Sequence, residues 1–291
     1  MMVRDPIVSG QFYPERRAAC AEHVEQCMPT DLEADTLPEG LSGGIAPHAG
    51  WTYSGPTAGR VFAALAARRT PSTVVLFGAD HARATRSGAM FAAGRWASPM
   101  GEVDVDDRLA DRIASMTQAV ETDPHAHDRE HSIEVQIPFV QHVWPDAKIL
   151  PIIVTPGPHA VEVGRAVGRA IEAYKTDAVV LGSTDLTHYG SNYGFAPQGT
   201  GPDALGWAKD VNDRRLIDLI LEMKADAILA EVAANHNACG AGAIAATIAA
   251  CQHLGATQAV LLEHTTSYEI ARRLMDESAS MAVGYAGIVF G

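Results

Sequence analysis

Three segments that read as β-strands run almost directly into a histidine: Ile45-Ala46-Pro47-His48, Leu76-Phe77-Gly78-Ala79-Asp80-His81 and Leu181-Gly182-Ser183-Thr184-Asp185-Leu186-Thr187-His188. In open α/β sheets ligands bind at the carboxyl ends of strands, so imidazoles delivered there by separate segments can meet at one site. A lone loop histidine usually does no more than bond a backbone carbonyl. Three at equivalent strand ends, with Asp80 and Asp185 beside them, point to metal ligation or proton transfer. Cys239 is a fourth candidate. Asn237 is placed to cap the Ala-rich run that follows, which would set Cys239 in the first helical turn, where free N–H groups and the helix dipole favour a thiolate. A thiolate with two neutral imidazoles suits a divalent transition metal, with positions left open for water or substrate.

A second pattern competes. His127-Asp128-Arg129-Glu130-His131 fits the H-x-x-E-H motif of inverted zinc proteases, in which two histidines share a helix face and the glutamate is the base. Pro124 before it and Pro138 after it leave little room for such a helix. Glu130 and His131 are then expected to support other ligands by hydrogen bonds, or His131 to help start a helix over 133–143. In Pro47-His48-Ala49-Gly50-Trp51-Thr52-Tyr53-Ser54-Gly55-Pro56, Tyr53 can donate a proton or hydrogen bond to a ligand, or pack with Trp51 under a Gly55-Pro56 turn. Cys20, Cys27 and Cys251 lie inside helical patterns and read as inert, buried thiols.

The elements that must position these groups are legible in outline. Apolar runs at 41–46, 73–78, 149–154, 178–182, 259–262 and 284–290 suit strands covered on both faces. Pro151 argues for an edge or a strand start. Helical periodicity covers 15–28, 57–69, 106–116, 159–174, 205–223 and 239–253. The alternation predicts one α/β domain over 1–291, with a central, mostly parallel sheet flanked by helices on both faces. The Gly-rich stretch 190–203 reads as a long loop beside the site.

Composition limits the partners. With 22 Lys plus Arg against 35 Asp plus Glu, the formal net charge is −13. A surface this acidic repels phosphates and anionic lipid, so neither nucleic acid nor a membrane is an expected partner. Four scattered cysteines with no C-x-x-C pair suit a reducing compartment. The first residues lack a signal peptide's apolar core, and the most apolar stretch, 238–251, is too short to span a bilayer; a cytoplasmic protein is expected.

At these residues the sequence resembles the Memo-like family, whose prokaryotic members occur as the B component of the AmmeMemoRadiSam group. The segments that carry the likeness are Gly10-Gln11-Phe12-Tyr13-Pro14, Pro47-His48-Ala49-Gly50-Trp51, Tyr53-Ser54-Gly55, Glu130-His131-Ser132-Ile133-Glu134-Val135-Gln136, Ser183 to Gly190, Ala238-Cys239-Gly240 and Val283-Gly284-Tyr285-Ala286. The resemblance implies a fold similar to the class III extradiol dioxygenases, non-haem iron enzymes that cleave catechol rings. Carried over by motif, His48 and His81 match two histidine ligands, Cys239 stands where a carboxylate ligand would be, and His188 matches the acid/base histidine with Asp185 beside it. Asp80 departs from the family's usual small residue before the metal histidine, and is expected to bond the imidazole or reshape the pocket.

The expectation is a metal-binding protein with a redox or dioxygenase-type site. His48, His81 and Cys239 would hold iron, or copper or zinc, His188 would transfer protons, and Asp185 and Tyr53 would orient a small-molecule substrate or peptide ligand. A thiolate in place of a carboxylate favours softer metals and is itself oxidisable. The alternatives are a metal-independent Cys–His hydrolase and a non-catalytic binding module on the same pocket.

Overall fold

A computed structural model describes residues 2–275 and 280–291. The strands, in chain order, are β1 (Val3–Arg4), β2 (Gly43–Ala46), β3 (Thr73–Gly78), β4 (Gly88–Met90), β5 (Arg95–Ser98) and β6 (Gly101–Asp104). After these come β7 (Val120–Thr122), β8 (Lys148–Val154), β9 (Ala178–Ser183), β10 (His188–Tyr189), β11 (Ala259–Thr266) and β12 (Ala282–Phe290). The main sheet has the order β10-β12-β2-β9-β3-β8-β4-β7, with β11 also paired to β12, while β1, β5 and β6 form a small separate sheet. Strands β2, β9, β3 and β8 are mutually parallel, and β12 runs antiparallel to β2, β10 and β11.

Helices cover both faces, and two adjacent glycines make this visible. Successive strand residues point to opposite faces. A Cβ on Gly43 would lie 2.7 Å from Cys251 Sγ, in the helix Ala241–His253, whereas one on Gly44 would lie 2.8 Å from Val61, in the helix Trp51–Arg68. The Ala241–His253 helix packs against Ala160–Tyr174, and Trp51–Arg68 packs against Arg17–Cys27 and Ile137–Val143. Strands β3, β9 and β12 are buried along their whole length, as both-faced covering requires.

Several expectations shift. Pro151 lies inside β8, between β3 and β4, not at an edge. Its carbonyl accepts from Phe91 N at 3.0 Å; a strand residue's nitrogen faces the same way as its carbonyl, so the missing N–H falls just beyond the β4 ladder and removes nothing from β3. The helix expected from residue 57 starts at Trp51 and carries Gly55 and Pro56 within it, so there is no Gly55-Pro56 turn. The helix expected from residue 239 starts at Ala241 with Gly240 as its cap. Asn237 instead turns inward, donating to Asn212 O at 3.0 Å and Glu231 Oε1 at 2.9 Å, and Cys239 sits just before the helix.

The topology explains the site. Because β9 lies between β2 and β3, the loops leaving β2, β3 and β9 emerge side by side at one sheet edge, the crevice expected in open α/β folds. They carry His48, His81 and Asp185.

Candidate metal centre

His48 is buried, and its ring orientation follows from its neighbours. Ser183 Oγ gives its proton to Ser132 O at 2.6 Å, so it accepts from His48 Nδ1 at 3.1 Å. That leaves the Nε2 lone pair aimed at Cys239 Sγ, 3.2 Å away. Gln136, which donates to Ser183 Oγ at 3.0 Å and Pro47 O at 2.8 Å, braces the same turn.

His81 is held differently. Its Nδ1 lies 3.0 and 3.1 Å from the two oxygens of Glu130, whose carboxylate also accepts from His81 N at 2.9 Å and Ser132 N at 2.8 Å. Nδ1 is therefore the protonated nitrogen and Nε2 faces the centre, the arrangement by which carboxylates orient metal-binding histidines. Glu130 supplies the hydrogen bond that the sequence had also suggested for Asp80. Asp80 instead caps its own loop, accepting from Ala84 N at 2.7 Å and Thr155 Oγ1 at 2.7 Å.

The residue whose place the sequence missed is His131. Its ring stacks on His81 with centroids 5.0 Å apart and stands edge-on to His48 at 5.5 Å. Donor nitrogens of His48, His81 and His131 lie within 4.8 Å of one another, so these three histidines could hold a metal ion. The sequence offered His131 as a ligand only through the H-x-x-E-H pattern with His127, and otherwise as a supporting residue with Glu130 or the start of a helix; the adjacency to Glu130 was the available signal. The segment is fixed by Glu134, which accepts from Ile7 N, Val8 N and the Tyr13 hydroxyl at 2.8–3.0 Å and pairs with Arg4. This clamp brings the N-terminal segment across the site, with the Phe12 ring edge-on to His131 at 5.0 Å.

Electrostatics favour a cation here. Burial would push the Cys239 thiol up, but His48 and His81 outweigh it and hold it down to about 6. Burial likewise works against a charged His81, yet its bonds to Cys239 and Glu130 raise it to about 10. Burial is outweighed again at Glu130, which His81 and the backbone N–H donors hold to about 2. His48 and His131 are both lowered, chiefly by burial. The arrangement stabilises one positive charge between the imidazoles and the thiolate, as a proton or as a metal cation. The other thiols contrast with it: burial pushes Cys20 up to about 11, and Cys27 and Cys251 up to about 12.

A cavity of about 580 Å³ opens onto the three histidines and is also lined by Tyr53, Asp185, His188 and Tyr285. Cys239 faces a second cavity of about 320 Å³, and His188 and Tyr193 line both. Asp185 is buried, and its Oδ1 accepts from His48 N at 2.7 Å, so it fixes the backbone of a candidate ligand; burial raises its carboxyl above the usual range. His188 is not among the converging donors. Its Nδ1 donates to Leu186 O at 3.1 Å, which leaves Nε2 with a free lone pair.

Among the described residues, no helix is long and apolar enough to cross a membrane. In fold, the chain is similar to an uncharacterized protein of Escherichia coli K12 known from its crystal structure, with a TM-score of 0.53 over 87% of this chain and 100% of that one, at 13% identity. In sequence, it is 38% identical over 297 residues to a MEMO1 family protein of Pyrococcus furiosus, covering 99% of each chain. A MEMO1 family protein of Nitrosopumilus maritimus is 34% identical over 296 residues, covering 99% of this chain and 100% of its own. The model of the Memo-like protein family matches residues 4–289, a span that takes in every donor of the histidine cluster and Cys239. This chain belongs to the Memo-like family.

Proposed function

We propose that the protein binds a divalent transition metal through His48, His81 and Cys239, with His131 as a fourth donor on the cavity side, and uses it in redox chemistry of the dioxygenase type on a small molecule. The observation that carries the reading is the tautomer pattern: Ser183 and Glu130 each accept an Nδ1–H, which leaves the Nε2 atoms of His48 and His81 free to join the cluster of converging imidazole donors, that of His48 also lying against Cys239 Sγ. The His48 Nε2 to Cys239 Sγ distance of 3.2 Å suits two ligands of one ion, which bond lengths of about 2.1 and 2.3 Å place roughly 3.1–3.6 Å apart. Iron or copper would supply the electron transfer; zinc with the same donors would supply Lewis acidity.

The chain's own residues divide the remaining work. His188 accepts or returns a proton at Nε2 on the cavity wall. Tyr53 offers its phenol to the bound ligand, and Asp185 keeps His48 in place. Among the described residues, the cavity lining includes no Lys or Arg, which favours a neutral or weakly charged substrate, or a peptide segment of that kind.

A second reading, a metal-independent cysteine nucleophile, is favoured by the same thiol held to about 6 beside His48. One experiment separates the two. Protein purified without added metal is compared with His48→Ala and Cys239→Ser by elemental analysis, and alkylation of Cys239 is timed with and without excess Fe²⁺ or Zn²⁺. The metal reading expects bound metal that both variants lose, and protection of the thiol. Equal metal content in all three proteins, with alkylation indifferent to metal, overturns it in favour of the nucleophile.

A further inference from the structure

Between the helices Pro202–Trp207 and Arg214–Leu221 the chain widens into a π-helix over Ala208–Asp213. Such segments are rare and frequently lie at functional sites. The last two residues of this one, Asn212 and Asp213, are 0% and 1% exposed, and both turn onto Thr187. Asn212 Nδ2 donates to Thr187 Oγ1 at 3.0 Å, and Thr187 N donates to Asp213 Oδ1 at 2.9 Å. From the opposite side, Gly284 N donates to Thr187 O at 3.0 Å while Gly284 O accepts from Leu186 N at 2.8 Å. Every polar group of Thr187 is thus engaged, and the next residue is His188.

The arrangement has been given room at the expense of ordinary packing. A Cβ on Gly284 would stand 2.0 Å from Asp213 Oδ2, so only glycine fits opposite the carboxylate. That Oδ2 meets His264 Nε2 at 3.1 Å, so both oxygens of a fully buried carboxylate are satisfied. A backbone N–H needs only a carbonyl or a water as partner. A buried carboxylate, expensive to desolvate, implies a requirement for rigidity.

We propose that Asn212 and Asp213 are positioning residues for His188. By fixing Thr187 they hold Leu186 O against His188 Nδ1 and keep Nε2 directed into the cavity. The inference rests on the reading of His188 as the acid/base group, and neither residue touches the histidine cluster.

The test reads the His188 ring directly, by two-bond ¹H–¹⁵N spectra of the full-length chain with and without Zn²⁺, the signal being assigned by its loss in His188→Gln. The wild type is expected to show the Nδ1–H tautomer alone. Asp213→Ala should shift it to an averaged pair of tautomers, while Asp213→Asn, which retains an oxygen for Thr187 N, should restore the native pattern. Thr187→Val removes only the hydroxyl that Asn212 holds, and should give an intermediate shift even if Asp213→Ala does not fold. An unchanged His188 tautomer in Thr187→Val and in folded Asp213→Ala overturns the proposal. Zn²⁺ binding, read separately, reports on the metal site, so a failure there is not mistaken for a failure here.

Discussion

Replacing Glu130 by Gln isolates what orients a ligand from the ligand itself. The wild-type carboxylate, 2% exposed, accepts from His81 Nδ1, His81 N and Ser132 N at 2.8–3.1 Å. An amide has one oxygen for these three donors, and its own NH₂ must face one of them. The loss of a charge-assisted bond and one buried donor clash should destabilise the fold by about 1–3 kcal/mol, roughly 2–4 °C in Tm for each kcal/mol. The larger effect is on His81, which loses both its preferred tautomer and the negative charge that makes Nε2 a better donor. Removing such a partner typically weakens metal binding about 10–100-fold, or about 1.4–2.7 kcal/mol. The assay is a chelator-competition titration with Zn²⁺ or Co²⁺ at fixed pH, with His81→Ala as the reference for complete loss of the ligand. Equal affinities for wild type and Glu130→Gln would refute the assignment of His81 as an oriented ligand. An affinity as low as that of His81→Ala would mean that Glu130 does more than orient.

Two further outcomes test the scaffold. His127 is fully buried between Phe91 and Trp96, and burial lowers it from 6.5 to about 4, against its bond to Ala89 O. Between those two pH values the unfolded chain takes up a proton that the folded one refuses, so stability falls as pH drops from about 6.5 to 4, by up to about 3 kcal/mol. His127→Phe should flatten that part of a urea-denaturation pH profile; an identical slope in both proteins would count against it. Gly43→Ala would set a Cβ 2.1 Å from Val180 O, a backbone atom of the neighbouring strand, and should destabilise the sheet by more than the about 1–3 kcal/mol of ordinary overpacking, read as a lowered Tm or insoluble expression. A normal Tm would show that β2 and β9 can separate freely.

The layered fold was legible because strand and helix signals are local. The run Thr73–Gly78 is apolar from Val74 to Phe77 and appears as a strand with those bounds. The Ala-rich stretch likewise appears as a buried helix, although it starts two residues later than its composition suggested. Short strands such as Gly88–Met90 and Val120–Thr122 carried no such signal, because three residues acquire strand geometry only from a neighbour already in place. Pro56 misled for a related reason: a proline's effect on a helix depends on whether the flanking packing is strong enough to hold the turn around it.

By itself, the sequence determined which groups could do chemistry and that His48, His81 and His188, with Asp185, follow strand ends, since residue type and the succession of elements are written along the chain, whereas the fold set β9 between β2 and β3 and so made those ends neighbours. Only the tertiary structure decided that His131 joins His48 and His81, that Glu130 rather than Asp80 holds His81, and that His188 stands apart on the cavity wall. These are choices among loop residues with no periodicity to read. They are settled by which partner comes within about 3 Å when distant segments pack, and hydrogen bonds formed across 49 or 135 positions leave no local trace in the sequence.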